Sequence, residues 1–317
     1  MSVFPITVPD PDLLPDGPLR LLAARALRGD RADGARVAVS IEGGGLATSM
    51  SAGIAHGLQR AGLLQWADVV YGTSSGSLVA LYAASGRMPD AATILESACQ
   101  RAFIDMRRIG RRPVVDLEVL LNISRERPPA LELGDRPEAR VLAVRVEDGV
   151  LRTFGPLAEL DDAHGAVRAS MAIPVWAGPP VRHDGDLLAD GGLIESVPIH
   201  TPLAEGATHV LALRSRDAQY RKGEAGRLRR MVEEPVIRRL PGEVPRLVRE
   251  RPALYDADAE LLERASAGDG EYAGRIAQLA PPSGTALVGR LQTDVQRVRA
   301  AFAAGTELAL RALAGTH

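Results

Sequence analysis

A mainly parallel sheet covered by helices, of the α/β class, is what this 317-residue chain predicts. Three observations carry that reading. Short apolar, β-branched runs alternate with helix-like stretches, the pattern of parallel strands joined by crossover helices. Glycine-rich turns stand directly after two of those runs, at Gly43 to Gly45 and around Gly72 to Gly76. The hydrophobic content of 46% is ample for a well-buried core.

The elements follow in order. Residues 1–35 are rich in Pro, Asp and Arg and read as a lead-in arm. Residues 36–41 (R-V-A-V-S-I) form a buried strand running into the glycines after Glu42, and 47–61, rich in Ala, form a helix. Residues 68–72 give a second strand and 75–84 the helix after it, ending near Gly86; a third helix covers about 90–102. V-L-A-V-R-V (141–146) and L-R-T-F (151–154) read as strands joined by a turn at Asp148-Gly149, and H-V-L-A-L-R (209–214) as another strand. Beyond Arg214 charge rises and the patterns become helical, interrupted by Pro and Gly at 241–245 and 281–284. T-A-L-V-G-R (285–290) reads as one more strand. Residues 291–314 form a helix with Leu291, Val295, Val298, Phe302, Ala309 and Leu313 on one face. The organisation expected is therefore an arm (1–35), an α/β unit (36–214) and a mostly helical extension packed on it (215–317).

Composition narrows the function classes. A net charge of −2 and 3% aromatic residues give no footprint of nucleic-acid binding. One cysteine, Cys99, allows no internal disulfide. The first residues lack the basic and apolar regions of a signal peptide, and no apolar run reaches the length of a membrane span. The expected location is cytoplasmic, with any membrane contact peripheral. The basic stretch M-R-R-I-G-R-R-P (106–113) suits either a solvated loop or an anionic lipid surface. A second basic run, 221–230, reads as an exposed helix.

The chemistry concentrates in three motifs. In G-T-S-S-G (72–76), Ser74 lies between a strand and a helix, and Gly72 and Gly76 leave room for the sharp turn that exposes a nucleophile. A helix N-terminus beside Ser74 favours developing negative charge. In E-G-G-G-L (42–46), consecutive backbone N–H groups of Gly43, Gly44 and Gly45 can point at one spot, as an oxyanion or a phosphate requires. A dinucleotide fingerprint fails, because Thr48 stands where its last glycine belongs and Asp68 precedes the second strand. In D-G-G-L-I-E-S-V-P-I, Asp190 ends an apolar run, with Gly191 and Gly192 making a tight turn. A carboxylate there serves as general base only if its surroundings raise its basicity, since an exposed Asp titrates near about 3.9. His200 and His209 remain as bases for a histidine-dependent hydrolase or acyltransferase. No metal-ligand cluster and no cofactor motif is present.

The order strand–E-G-G-G-L–helix, strand–G-T-S-S-G–helix, A-S-M-A-I-P (169–174) and D-G-G resembles the patatin-like phospholipases over about residues 36–214. The resemblance implies a modified α/β-hydrolase fold and acyl-ester hydrolysis by a Ser-Asp dyad without histidine, acting on a lipid or acyl-ester substrate. It gives Ser74 the role of nucleophile and Asp190 that of base, with Gly43, Gly44 and Gly45 as the oxyanion hole. Glu195, Ser196, Pro198, Arg214 and Tyr220-Arg221-Lys222 resemble a bacterial subgroup of that family, as does the tail 293–305. One departure stands out: the family writes G-G-G-x-R-G, and here Ala47 and Thr48 replace Arg and Gly. The missing positive charge leaves a second reading open, a lipid- or acyl-binding protein with weak or no turnover.

Overall fold

The computed structural model describes residues 8–109, 111–131, 134–174, 176–223 and 234–314. Eight strands form one sheet: β1 (Val37–Ile41), β2 (Val69–Thr73), β3 (Glu138–Arg145), β4 (Leu151–Phe154), β5 (Val181–His183), β6 (Asp186–Asp190), β7 (His209–Leu213) and β8 (Ile276–Leu279). Their path is β5-β6-β3-β2-β1-β7-β8, with β4 on the other edge of β3. The pairs β3-β2, β2-β1, β1-β7 and β7-β8 are parallel, whereas β4, β5 and β6 run antiparallel to their neighbours.

Strand residues alternate between two cores. Val37, Val39, Ile41, Val70 and Leu211 pack into one layer; Ala38, Val69, Tyr71, Val210 and Ala212 pack into the other. Every residue of β1 and β2 is buried. This is why these strands read as continuous apolar runs, as central strands covered on both faces do. The first layer takes α1 (Pro18–Arg28), α2 (Ser49–Arg60), α3 (Ser75–Ala84), α4 (Met88–Ser97), α5 (Leu117–Glu126) and α6 (Leu160–Met171). After the short α7 (His200–Ala204), the long α8 (Val244–Ser266) covers the second layer through Tyr255, Ala259 and Leu262, and α9 (Val295–Leu313) returns to the first.

The segment expected as a lead-in arm carries α1, whose Leu19, Leu22 and Ala23 join the core. Arg25 on α1 is fully buried and donates to Asp33, Asp68 and the carbonyls of Trp66 and Ala35. The expected helix over 90–102 begins and ends earlier, at Met88–Ser97. The expected strand at 285–290 is not one. The outer strand is Ile276–Leu279, paired with β7, and Pro281 to Gly284 turn the chain away so that 285–290 crosses the glycine loop, where the Arg290 carbonyl accepts the Leu46 N–H at 3.0 Å. The hairpin β5-β6 has a weak sequence signal because β5 spans only three residues and both strands are partly exposed, so neither presents a continuous apolar run.

α9 lies directly on α2 because glycines face each other at the crossing. A Cβ on Gly53 would collide with the Phe302 carbonyl oxygen, and one on Gly305 with that of Met50. Replacing Gly305 with Ala is therefore expected to lower stability by about 1–3 kcal/mol, the usual range for overpacking, read as a lower urea midpoint at unchanged slope.

Candidate active site

Ser74 sits on the turn from β2 to α3 with φ 53° and ψ −135°, a left-handed conformation that a non-glycine residue holds only when its surroundings enforce it. Gly72 and Gly76 are part of that enforcement. A Cβ on Gly72 would strike the Gly76 carbonyl, and one on Gly76 would strike the Ile41 carbonyl. The Ser74 N–H donates to Ser170 Oγ at 2.9 Å, and Ser170 Oγ donates to the Leu142 carbonyl at 2.6 Å. Ser170 is the serine of A-S-M-A-I-P on α6, so that motif clamps the turn to β3.

The sheet register brings Asp190 to the serine. β2 and β6 lie on the same edge of β3, end to end: Thr73 pairs with Leu142, and Asp190 pairs with the next residue, Ala143. Ser74 Oγ donates to Asp190 Oδ2 at 2.8 Å, and the Gly192 N–H donates to Oδ1 at 2.7 Å. Asp190 is wholly inaccessible to solvent. Burial pushes its carboxyl above the ordinary 3.8, against the opposing charge of Arg251 and the two hydrogen bonds. The D-G-G sequence is steric in origin, because a Cβ on Gly191 would meet the Leu142 carbonyl and one on Gly192 would lie 2.9 Å from Asp190 Oδ1.

The glycine loop arrives beside this pair, but its donors are engaged. The Gly43 N–H donates to the Ser196 carbonyl at 3.3 Å, and the Gly44 N–H donates to Ser75 Oγ at 3.0 Å. Ser75 Oγ is also hydrogen-bonded to Thr48 Oγ1, so the threonine at the family's glycine position helps tie the loop down. Gly43 and Gly44 open with Ser74 onto one cavity of about 320 Å³, counted to its solvent mouth. Gly45 (φ 60°) instead faces the backbone of Arg290. The loop is anchored at Glu42, which is buried and accepts from Arg214 Nε (3.1 Å), the Ser215 N–H (2.6 Å) and Tyr255 Oη (2.7 Å).

The two candidate histidines lie elsewhere. His200 Nε2 is 2.9 Å from Asp258 Oδ1 on α8, and His209 Nδ1 is 2.9 Å from Thr208 Oγ1. His209 opens β7, level with Asp68, while Ser74 lies six residues further along at the far end of the parallel β2, about 20 Å away along the strand direction. Among the described residues no group of three His, Cys, Asp or Glu side chains is arranged to hold a metal. None of the described helices is long and apolar enough to cross a membrane.

Several residues at the cavity had gone unnoticed or unassigned in the sequence. Ser75 and Ser170 position the loop and the turn. Arg216, Lys222, Arg251 and Arg290 line the cavity from the C-terminal part. Only Lys222 carried a signal, within the Tyr220-Arg221-Lys222 element. The remainder of the second basic run, 224–230, lies outside the described residues, as does Gly110 of the first.

A sequence profile described as "Patatin-like phospholipase" matches residues 39–203. The chain belongs to the patatin-like phospholipase family, a family of lipid acyl hydrolases. It is 30% identical over 251 residues to uncharacterized NTE family proteins of Mycobacterium bovis and Mycobacterium tuberculosis. That match covers 76% of the chain and 64% of each relative, so the chain spans just under two thirds of their length. Among solved structures, VipD from Legionella pneumophila aligns with a TM-score of 0.46 at 13% identity, covering 88% of this chain and 66% of that one.

Proposed function

We propose that this protein is a serine acyl hydrolase that cleaves lipid acyl esters with Ser74 as nucleophile and Asp190 as general base. The observation that carries the reading is the 2.8 Å hydrogen bond from Ser74 Oγ to a buried carboxylate whose basicity is raised. As Ser74 Oγ bonds to the ester carbonyl carbon, its proton passes to Asp190 Oδ2. Collapse of the tetrahedral intermediate breaks the bond to the alcohol, which leaves with that proton. Water then attacks the acyl-serine while Asp190 takes its proton, and Asp190 returns that proton to Ser74 Oγ as the acyl–Oγ bond breaks and the acid departs.

The oxyanion would be held by Gly43 and Gly44 N–H groups that exchange Ser196 O and Ser75 Oγ for the substrate, together with the Ser75 N–H at the start of α3. One such donor is worth about 10²–10³ in rate. Exposed Met106 and Ile109 stand beside Arg107 and Arg108, an arrangement that supports peripheral contact with a lipid surface.

The engaged loop amides and Ala47 favour one second reading, an acyl-binding protein without turnover. Fluorophosphonate labelling separates the two. Wild-type protein is expected to label and Ser74→Ala not to. Failure of folded wild type to label, with acyl chains still bound, would establish the second reading.

A further inference from the structure

Asp190 is wholly inaccessible to solvent, and two donors meet its carboxylate, Ser74 Oγ and the Gly192 N–H. Burial favours the neutral acid, and a neutral acid cannot take a proton from Ser74. A base at this depth needs a nearby cation to hold it ionised, and that cation must not be committed to another carboxylate.

Three cations act on Asp190 through their charge: Arg251 on α8, Arg290 in the segment that crosses the glycine loop, and Lys222 after β7. Lys222 Nζ donates to Ser196 Oγ at 2.9 Å, lies 4.0 Å from the Tyr255 ring centre and also faces Glu42. Arg290 is exposed, so water weakens its field. Arg251 differs from both. Its Nε is buried with no hydrogen-bond partner, and among the described residues no carboxylate lies within ion-pair distance of it. The other titratable groups around it are Tyr255, Tyr220 and the like charges of Arg290 and Lys222.

Gly192 leaves the space through which Arg251 approaches. A Cβ there would lie 2.9 Å from Asp190 Oδ1, 3.5 Å from Arg251 Nη2 and 3.6 Å from Ser196 Oγ. The carboxylate and the guanidinium therefore face each other across one position, with no side chain between them. Arg251 stands on the Oδ1 side, and Oδ2 keeps the serine. The guanidinium is near enough to act through its field, yet it does not occupy the lone pairs that must receive the serine proton. Burial raises the Asp190 carboxyl, and the charge of Arg251 opposes that rise more than the Ser74 and Gly192 hydrogen bonds do. Burial and then Arg290 push Arg251 itself down only to about 10, so it remains a cation at neutral pH.

We propose that Arg251 is a positioning residue for the general base, its guanidinium on α8 holding the Asp190 carboxylate in the proton-accepting form. The charge comes from outside the family-matched residues 39–203. The catalytic half of this inference rests on the acyl-hydrolase reading; the electrostatic half does not.

Two measurements on the full-length protein test it. The first needs no turnover. Urea unfolding of wild type, Asp190→Asn, Arg251→Met and the double variant forms a thermodynamic cycle. Without Arg251 the folded carboxyl rises further above the unfolded 3.8, so the stability lost as pH rises is larger and the loss extends to higher pH. At neutral pH, Asp190→Asn is expected to favour folding about tenfold or more beyond its effect with Arg251 present. Below 3.8, where both states hold the proton, that extra gain is expected to vanish, whereas a packing contact would keep it. Arg251→Gln repeats the cycle if the Met variant does not fold. Coupling that is absent at neutral pH, or the same at every pH, would overturn the proposal.

The second measurement follows kcat/KM against pH for a neutral short-chain aryl ester. Arg251→Met is expected to move the acid limb upward by about one pH unit or more, with activity recovered above it. Arg251→Lys, which keeps the charge, is expected to stay near the wild-type limb. A uniform loss at every pH would show a structural role and overturn the proposal. Coupling in a protein that fluorophosphonate does not label keeps the electrostatic role and discards the hydrolase; labelling and Ser74-dependent turnover without coupling do the reverse.

Discussion

Asp190→Asn is expected to lower ester turnover by about 10²–10⁴-fold, the range of a positioned general base, while raising the thermal midpoint. The amide fits the site: its oxygen can accept the Gly192 N–H and its NH₂ can face Ser74 Oγ, the two partners Asp190 has now. The stability gain follows from proton linkage. Burial raises the carboxyl in the folded protein above its unfolded 3.8. Below that value both states hold the proton and the wild type carries no penalty. As pH rises through the window up to the raised folded value, the unfolded chain gives up its proton first, and wild type loses stability that the Asn variant keeps. Thermal melts of the two proteins should therefore coincide in acid and separate toward neutrality, with Asn the more stable. Over the same window wild-type turnover should rise as Asp190 ionises. An Asn variant that melts below wild type at neutral pH would show that Asp190 pays for its burial through partners beyond these hydrogen bonds.

Arg214→Met is expected to destabilise the protein by about 3–5 kcal/mol, because it strands a buried carboxylate. Arg214 and Glu42 are 0% and 2% exposed at their side chains. Arg214 also donates to Gln278 Oε1 at 2.6 Å and to Tyr255 Oη at 3.0 Å. Although burial opposes its charge most, Glu42 is held below its ordinary range by Arg214, then Tyr255, then the Ser215 N–H. Its stabilisation is present above the unfolded value of 4.5 and is lost as pH falls through the folded one. Urea denaturation of Arg214→Met, Glu42→Leu and the double variant gives the test. The double variant should recover most of the loss, since replacing both charges leaves neither uncompensated. A double variant as unstable as the singles would mean that shape rather than charge pairing is at stake.

Much of the sheet and both members of the proposed Ser74–Asp190 pair were legible in the sequence, for identifiable reasons. β1 and β2 are fully buried and so read as largely apolar runs, and glycines at their ends such as Gly43, Gly72 and Gly76 are demanded by backbone contacts too close for any Cβ. Asp190 was legible through its two glycines, though not through its strand, because β5 and β6 are three and five residues long with partly exposed faces. The cations of the cavity were not. Arg251 and Arg290 lie 61 and 100 residues beyond Asp190 by their numbering, in stretches where arginine is common and exposed elsewhere, so only folding distinguishes them. The misplaced strand at 285–290 has a similar cause: its apolar residues serve a crossing over the glycine loop, and local pattern cannot tell that from a sheet edge.

The Arg290 carbonyl that receives the Leu46 N–H, and the glycine contact between α2 and α9, have an implication for modularity. All three motifs lie within the family-matched residues 39–203, yet the backbone that props the glycine loop and the helix that braces its follow-on helix come from residues 290–313. The motif-bearing stretch is thus not a transplantable cassette. Recombination that exchanged it between relatives would carry over the proposed reactive groups and leave their scaffolding behind, so loop and tail must be inherited as one unit.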